Sequence, residues 1–198
     1  MPGFSPDRTF TDPSLDMLKD AMAEHDVLLY GLIEGWSEHG IRSFGEHAIE
    51  QHRYNEYDGI LIGHSLGALA ALSVVGAMPV RHLILCSPSA LFAEDIRSNF
   101  DPVVGRRIGE KRVQELANFS AAEAVASVNR LGIPTTVLFG ERERELYPQV
   151  VARSGKLAAR IAGATLVEVT GAAHFIGENP YALELARTAG NIATGLKH

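Results

Sequence analysis

The 198-residue sequence has a single cysteine, Cys86, so no disulfide can form within the chain. A reducing compartment fits that count, although secreted proteins without disulfides exist. No stretch approaches the 18 or more apolar residues that a membrane span requires. The first residues, Met-Pro-Gly-Phe-Ser-Pro-Asp, lack a basic region followed by an apolar one, so no signal peptide is expected and cytoplasmic is the expected location. Positive charge is also short: 18 Lys and Arg stand against 24 Asp and Glu, a formal net charge of −6, with no basic stripe. That balance argues against a partner built on nucleic-acid phosphates. The histidines and acids show no ligand spacing such as H-E-x-x-H, and no G-x-G-x-x-G loop occurs, so neither a metal nor a cofactor is expected.

What is present is apolar material in short, punctuated runs. Apolar residues make up 46% of the chain, enough for one core, and neither a repeat nor a linker divides it. A single domain over residues 1–198 is the expectation. Asp12-Pro13 offers a capping carboxylate followed by proline, a helix start. Val27–Tyr30, Gly59–Ile62, His82–Cys86, Thr135–Phe139 and Thr165–Val169 read as strands. Helices are expected between them, from Ser43 to about residue 56, Leu66 to Val75, Gly105 to Phe119, Ser120 to Leu131, Pro148 to Ile161 and from Pro180 onward. Ser43 and Ser120 each stand three residues before a glutamate, as in a capping box. Strands that are apolar throughout and alternate with helices predict an α/β fold. Its sheet should be mostly parallel and open, with about five to six strands and helices on both faces. Residues 87–131 are long enough to include a short lid or helical insert.

Gly63-His64-Ser65-Leu66-Gly67 fits the G-x-S-x-G pattern, between a buried strand and a helix of small apolar residues. A serine nucleophile needs a tight strand-to-helix turn that lifts its hydroxyl above the sheet edge. Glycines on either side remove the Cβ atoms that would collide there. The helix start also directs backbone N–H groups toward developing negative charge, which makes Leu66 N–H a candidate oxyanion donor. Taken alone, the same glycines could serve only a tight crossover with Ser65 as an ordinary helix cap.

In a parallel sheet the C-terminal ends of all strands share one edge. His174, in Gly171-Ala172-Ala173-His174 after the last expected strand, lies on that edge and is the candidate general base. The side chain of His64 is expected to point away from the site. The loop Gly140-Glu141-Arg142-Glu143-Arg144-Glu145 lies on the same edge and offers an acid to orient the imidazole. Glu143 is preferred; Glu141 and Glu145 remain open, with Glu94 or Asp95 behind them. The arginines could serve to pair the unused carboxylates.

These segments, in the order nucleophile, acid, histidine, resemble the α/β-hydrolase family over roughly residues 27–198. The family's acid loop often reads Gly-x-x-Asp, and here Glu143 stands in the last place. The resemblance implies a second oxyanion donor from a loop ahead of the elbow. Two alignments compete for it: Pro2-Gly3-Phe4-Ser5, represented by Phe4, or the residues after Val27–Tyr30, represented by Leu32. The implied activity is serine-dependent, carboxylesterase-like hydrolysis of a small ester, thioester or amide. Residues 32–40 and 87–110 would line the pocket, with Trp36, Leu91 and Phe92 as candidates. Rival expectations are a non-catalytic hydrolase-like binding or scaffold domain, and an acyltransferase or cofactor-free perhydrolase using the same three residues. The expected partner is a small acyl substrate, and self-association into a homo-oligomer is compatible with the composition.

Overall fold

A computed structural model of the chain describes residues 1, 11–31, 36, 39–52, 59–89, 108–119 and 121–196. Among them four strands form one parallel sheet: β1 (Gly59–His64), β2 (Val80–Cys86), β3 (Thr135–Gly140) and β4 (Thr165–Val169), in the spatial order of the sequence. A 3₁₀ turn over Pro13–Leu15, capped by the Asp12 carboxylate through Ser14 N–H at 2.8 Å, leads into α1 (Asp16–Glu24). The other helices are α2 (Ile41–His52), α3 (Leu66–Val74), α4 (Glu110–Asn118), α5 (Ala121–Leu131), α6 (Glu143–Leu146), α7 (Pro148–Arg160) and α8 (Tyr181–Leu196).

The core follows from strand alternation, which sends successive side chains to opposite faces. Leu83 and Leu85 of β2 join Leu61 and Val137 in a cluster with residues of α2, α3, α5 and α7. Their neighbours Ile84 and Cys86 join Leu138 and Val169 in a second cluster with residues of α1 and α8. Because the strand order never reverses, crossovers of one hand keep α3, α5 and α7 on one face. The other face is closed by α1 and α8. β3 is buried along its whole length, whereas β4, at the edge, exposes Thr165, Leu166 and Glu168.

The sheet therefore has four described strands, not five or six. Val27–Tyr30 is not a strand. Val27 and Leu29 pack against the second cluster, while Leu28 and Tyr30 face solvent at 74% and 50% exposure. The run is thus only half covered, with Val27 and Leu29 partly buried. Met1 instead bonds to the outer edge of β1: its N donates to Ile62 O at 2.6 Å, and its carbonyl accepts His64 N–H at 3.0 Å.

Helix α2 begins two residues before the expected Ser43. Ser43 Oγ reaches back to accept Gly40 N–H at 2.9 Å, and Ile41 N–H is capped by the Glu115 carboxylate of α4. Of residues 87–131, α5 is part of the main core through Ala121, Val125 and Val128; residues 90–107 and 120 lie outside the described residues.

Candidate active site

β1 ends at His64, and the chain turns at once into α3. The turn residue, Ser65, has φ 52° and ψ −118°, a conformation that costs a side-chain-bearing residue about 1–3 kcal/mol. Gly63 is required by the turn, since a Cβ there would lie 2.6 Å from Ala68 Cα and 2.8 Å from Gly67 O. Strain of this kind persists only where the surroundings hold it. Ser65 N–H is tied to Cys86 O at 2.9 Å, and all of α3 except Ser73 is buried beneath it. The Ser65 side chain makes no capping bond to α3, so the turn does not exist to cap the helix. Its Oγ lies 3.3 Å from Ser89 Oγ.

Beyond β3, the first residue of α6 is Glu143, which has no exposed surface. A buried carboxylate must be matched by donors. Glu143 Oε2 accepts Gly140 N–H and Ser87 Oγ–H, each at 2.7 Å, and Oε1 lies 2.5 Å from His174 Nδ1. Ser87, buried at the end of β2, also meets the Tyr181 hydroxyl at 3.0 Å, and Tyr181 donates to Leu138 O at 3.1 Å. Of the three loop acids, then, Glu143 alone meets the histidine. Glu141 accepts Gly171 N–H at 2.7 Å at the start of the His174 loop, and Glu145 is exposed. Arg144 does not pair with these acids; it forms a two-pronged ion pair with Glu168 of β4 at 2.6 and 2.7 Å. Gly140 is dictated by the approach of the His174 loop, because a Cβ on it would sit 2.5 Å from the carbonyl oxygens of Ala172 and Ala173.

His174 is about one-third exposed. With Nδ1 held by Glu143, its Nε2 is left as the basic nitrogen. Its ring lies 5.4 Å from that of Tyr147 and 4.9 Å from that of His64. His64 does not point away from the site: it is buried, and its Nε2 bonds to the His174 carbonyl oxygen at 2.8 Å. Ser65 and His174 share one sheet edge, but among the described residues Ser65 Oγ is bonded to Ser89 and not to His174. Nucleophile–base bonds are often loose before substrate arrives. Cys86 is no rival nucleophile, since burial pushes its thiol up to about 12 and the thiol is inaccessible.

No family model matches the chain, and no curated protein matches it. Solved structures do. Est1E from Butyrivibrio proteoclasticus superposes with a TM-score of 0.68 at 17% identity, over 98% of this chain and 85% of that one. The esterase domain of a Rhodothermus marinus protein gives 0.64 at 17%, over 91% and 79%. MGS-MChE2, an alpha/beta hydrolase enzyme from a sediment metagenome, gives 0.51 at 20%, over 81% and 73%. The fold is that of the α/β-hydrolases. On an α/β-hydrolase sheet, the linked Ser87, Glu143 and His174 form a hydrolase-like network at the edge where such folds hold ligands.

The other expected site residues are placed unevenly. Leu66 is the first residue of α3, where backbone N–H groups lack intrahelical partners. Trp36 is fully buried, its ring stacked 3.8 Å from Phe44 with the Arg112 guanidinium 5.7 Å above it, so it has no face for a substrate. Phe4, Leu32, Leu91 and Phe92 lie outside the described residues. Sequence reasoning missed Ser87, Ser89, Tyr181 and the role of His64. A signal for two of them was present: Ser87-Pro88-Ser89 directly follows a buried strand on the ligand edge, where hydroxyls meet other loop residues. Among the described residues no group of three or more His, Cys, Asp or Glu side chains could hold a metal ion, and no helix is long and apolar enough to cross a membrane.

Proposed function

We propose that the chain is a serine hydrolase that cleaves a small neutral or apolar ester, thioester or amide through an acyl-enzyme on Ser65. The observation that carries this is a serine in a strained strand-to-helix turn, on the same sheet edge as a histidine already oriented by a buried carboxylate. Ser87 is a poor nucleophile despite its place in the network, because it is fully buried and its hydroxyl is spent on Glu143. Ser65 is only partly buried, and its hydroxyl meets Ser89 Oγ at a longer 3.3 Å and not the carboxylate. As Ser65 Oγ attacks the acyl carbon, His174 Nε2 takes its proton, and the Glu143 carboxylate stabilises the imidazolium across Nδ1. The negative charge moving onto the carbonyl oxygen is met by Leu66 N–H and a second backbone donor. Collapse of the tetrahedral intermediate breaks the bond to the leaving group, which receives the proton held by His174. Water then enters and gives a proton to the same nitrogen as its oxygen attacks the acyl carbon; the acyl–Oγ bond breaks, His174 returns the proton to Ser65 Oγ, and the acid leaves.

For the second donor we take Phe4 rather than Leu32; the support is that Met1, three positions before Phe4 in the sequence, is bonded to Ile62 and His64 just ahead of Ser65. Leu91 and Phe92 remain the proposed apolar pocket residues. A fluorophosphonate probe tests the assignment. Labelling of the wild type and none of Ser65→Ala is expected. An unlabelled wild type beside a labelled control hydrolase refutes hydrolysis by this mechanism, and labelling that survives Ser65→Ala refutes the choice of nucleophile.

A further inference from the structure

His174 belongs to the loop after β4, whereas Ser65 follows β1, three strands away. At the usual strand spacing that loop must reach back about 14 Å along the sheet edge. Contacts with β3 and the residues after it support it part-way: the close packing of Ala172 and Ala173 on Gly140, the bonds of Gly171 to Glu141 and of Ala172 O to Arg142 N–H, and the bond from His174 to Glu143. None of these involves the strand that carries the nucleophile. The nucleophile does not supply the missing tie, because its hydroxyl is engaged with Ser89.

The tie is made by the residue before it. His64, last in β1 and only 6% exposed, places Nε2 2.8 Å from the backbone oxygen of His174, and the two rings sit 4.9 Å apart at 47°. A carbonyl oxygen only accepts, so Nε2 of His64 carries a proton and the ring is held in one orientation. We propose that His64 is a positioning residue that locks the backbone of the base to the nucleophile's own strand, fixing the gap between Ser65 and His174 before substrate binds. The inference rests on Ser65 and His174 acting as nucleophile and base.

The side chain next to a nucleophile on a turn would otherwise be free to vary. Here it has a defined chemistry: a donor four bonds from Cα, buried, and aimed at one carbonyl. Glutamine places an amide donor the same number of bonds out; leucine fills similar space with none. Loss of the tie lets the base drift, and misplacement by about 1 Å costs up to about 100-fold in rate.

The test compares His64→Leu and His64→Gln for kcat and KM on a small activated ester, for the rate of fluorophosphonate labelling, and for Tm. His64→Leu is expected to lose about 10- to 100-fold in kcat and labelling rate, with KM moving less than about twofold and Tm near that of the wild type. His64→Gln should recover most of that loss. Nitrogen-15 NMR of the wild type, which requires no variant to fold, should find His64 protonated at Nε2. Wild-type kcat in His64→Leu, no recovery in His64→Gln, or an unprotonated Nε2 in the wild type each overturns the proposal alone. A wild type inert to the probe overturns it together with the hydrolase assignment.

Discussion

Gly140→Ala adds one methyl group at the point where β3 leaves the sheet. Its carbon would lie 2.5 Å from two backbone oxygens, those of Ala172 and Ala173, and ordinary contact begins at 3.4 Å. No flexible side chain can absorb the clash, so one backbone segment must withdraw by about 0.9 Å in an interior packed like a crystal. The segment most able to move is the His174 loop. Its withdrawal draws His174 away from Glu143, whose other oxygen is bonded to the N–H of residue 140 itself. Overpacking of this kind costs about 1–3 kcal/mol. In a chain this long each kcal/mol lowers Tm by about 2–4 °C. A shift near 1 Å at the base lowers kcat by about 100-fold. The assay is ester hydrolysis and thermal unfolding, with Gly155→Ala in α7 as control. Among the described residues, no atom outside the helix's own neighbouring backbone lies within 4 Å of a Cβ at that site, so stability there should rise by about 0.5–1 kcal/mol with activity unchanged. Gly140→Ala with wild-type kcat would refute the claim that this contact positions the base, even if Tm fell.

Two further outcomes follow from the same site. Glu143→Gln puts an amide among three donors (Gly140 N–H, Ser87 Oγ–H and His174 Nδ1–H), so one of them must face an NH₂ group; kcat should fall by about 10³–10⁴-fold with KM little changed. Burial raises the Cys86 thiol from 9.0 to about 12, and the Tyr181 phenol is raised too. Between 9 and 12 the unfolded chain gives up the Cys86 proton while the folded chain keeps it, so stability falls as pH rises through that window. Urea midpoints at pH 8 and pH 10.5, with native Cys86 unreactive to a thiol reagent at pH 8, would check this.

Much of the scaffold is legible in the sequence because it depends on local pattern. The apolar runs at 59–62, 82–86, 135–139 and 165–169 lie within the four strands, and Pro148 opens α7 where proline suits a first turn. The failures involve partners far along the chain. Val27–Tyr30 is a short apolar run ended by Gly31, as a strand would be, but pairing requires a neighbouring edge that its own residues cannot reveal. The start of α2 is hidden from local pattern because its cap comes from Glu115, 74 residues away. At the site, the Gly-His-Ser-Leu-Gly turn is readable because strain and glycine placement are local. The choice among Glu141, Glu143 and Glu145 depends on which one the His174 loop descends upon, a tertiary fact. The direction of the His64 side chain is hidden for the same reason, since nothing near it announces the carbonyl 110 positions away.

The Glu143 carboxylate gathers donors from the end of β2, the end of β3 and the loop after β4, through Ser87, Gly140 and His174. Three segments distant in sequence thus share one anion as their common anchor. Such an edge opens as a cooperative unit: releasing any one segment leaves a desolvated charge short of a partner, which makes the next release easier. Order at the catalytic edge and readiness of the base are therefore two aspects of one local equilibrium, and a perturbation that loosens the first also lowers the second.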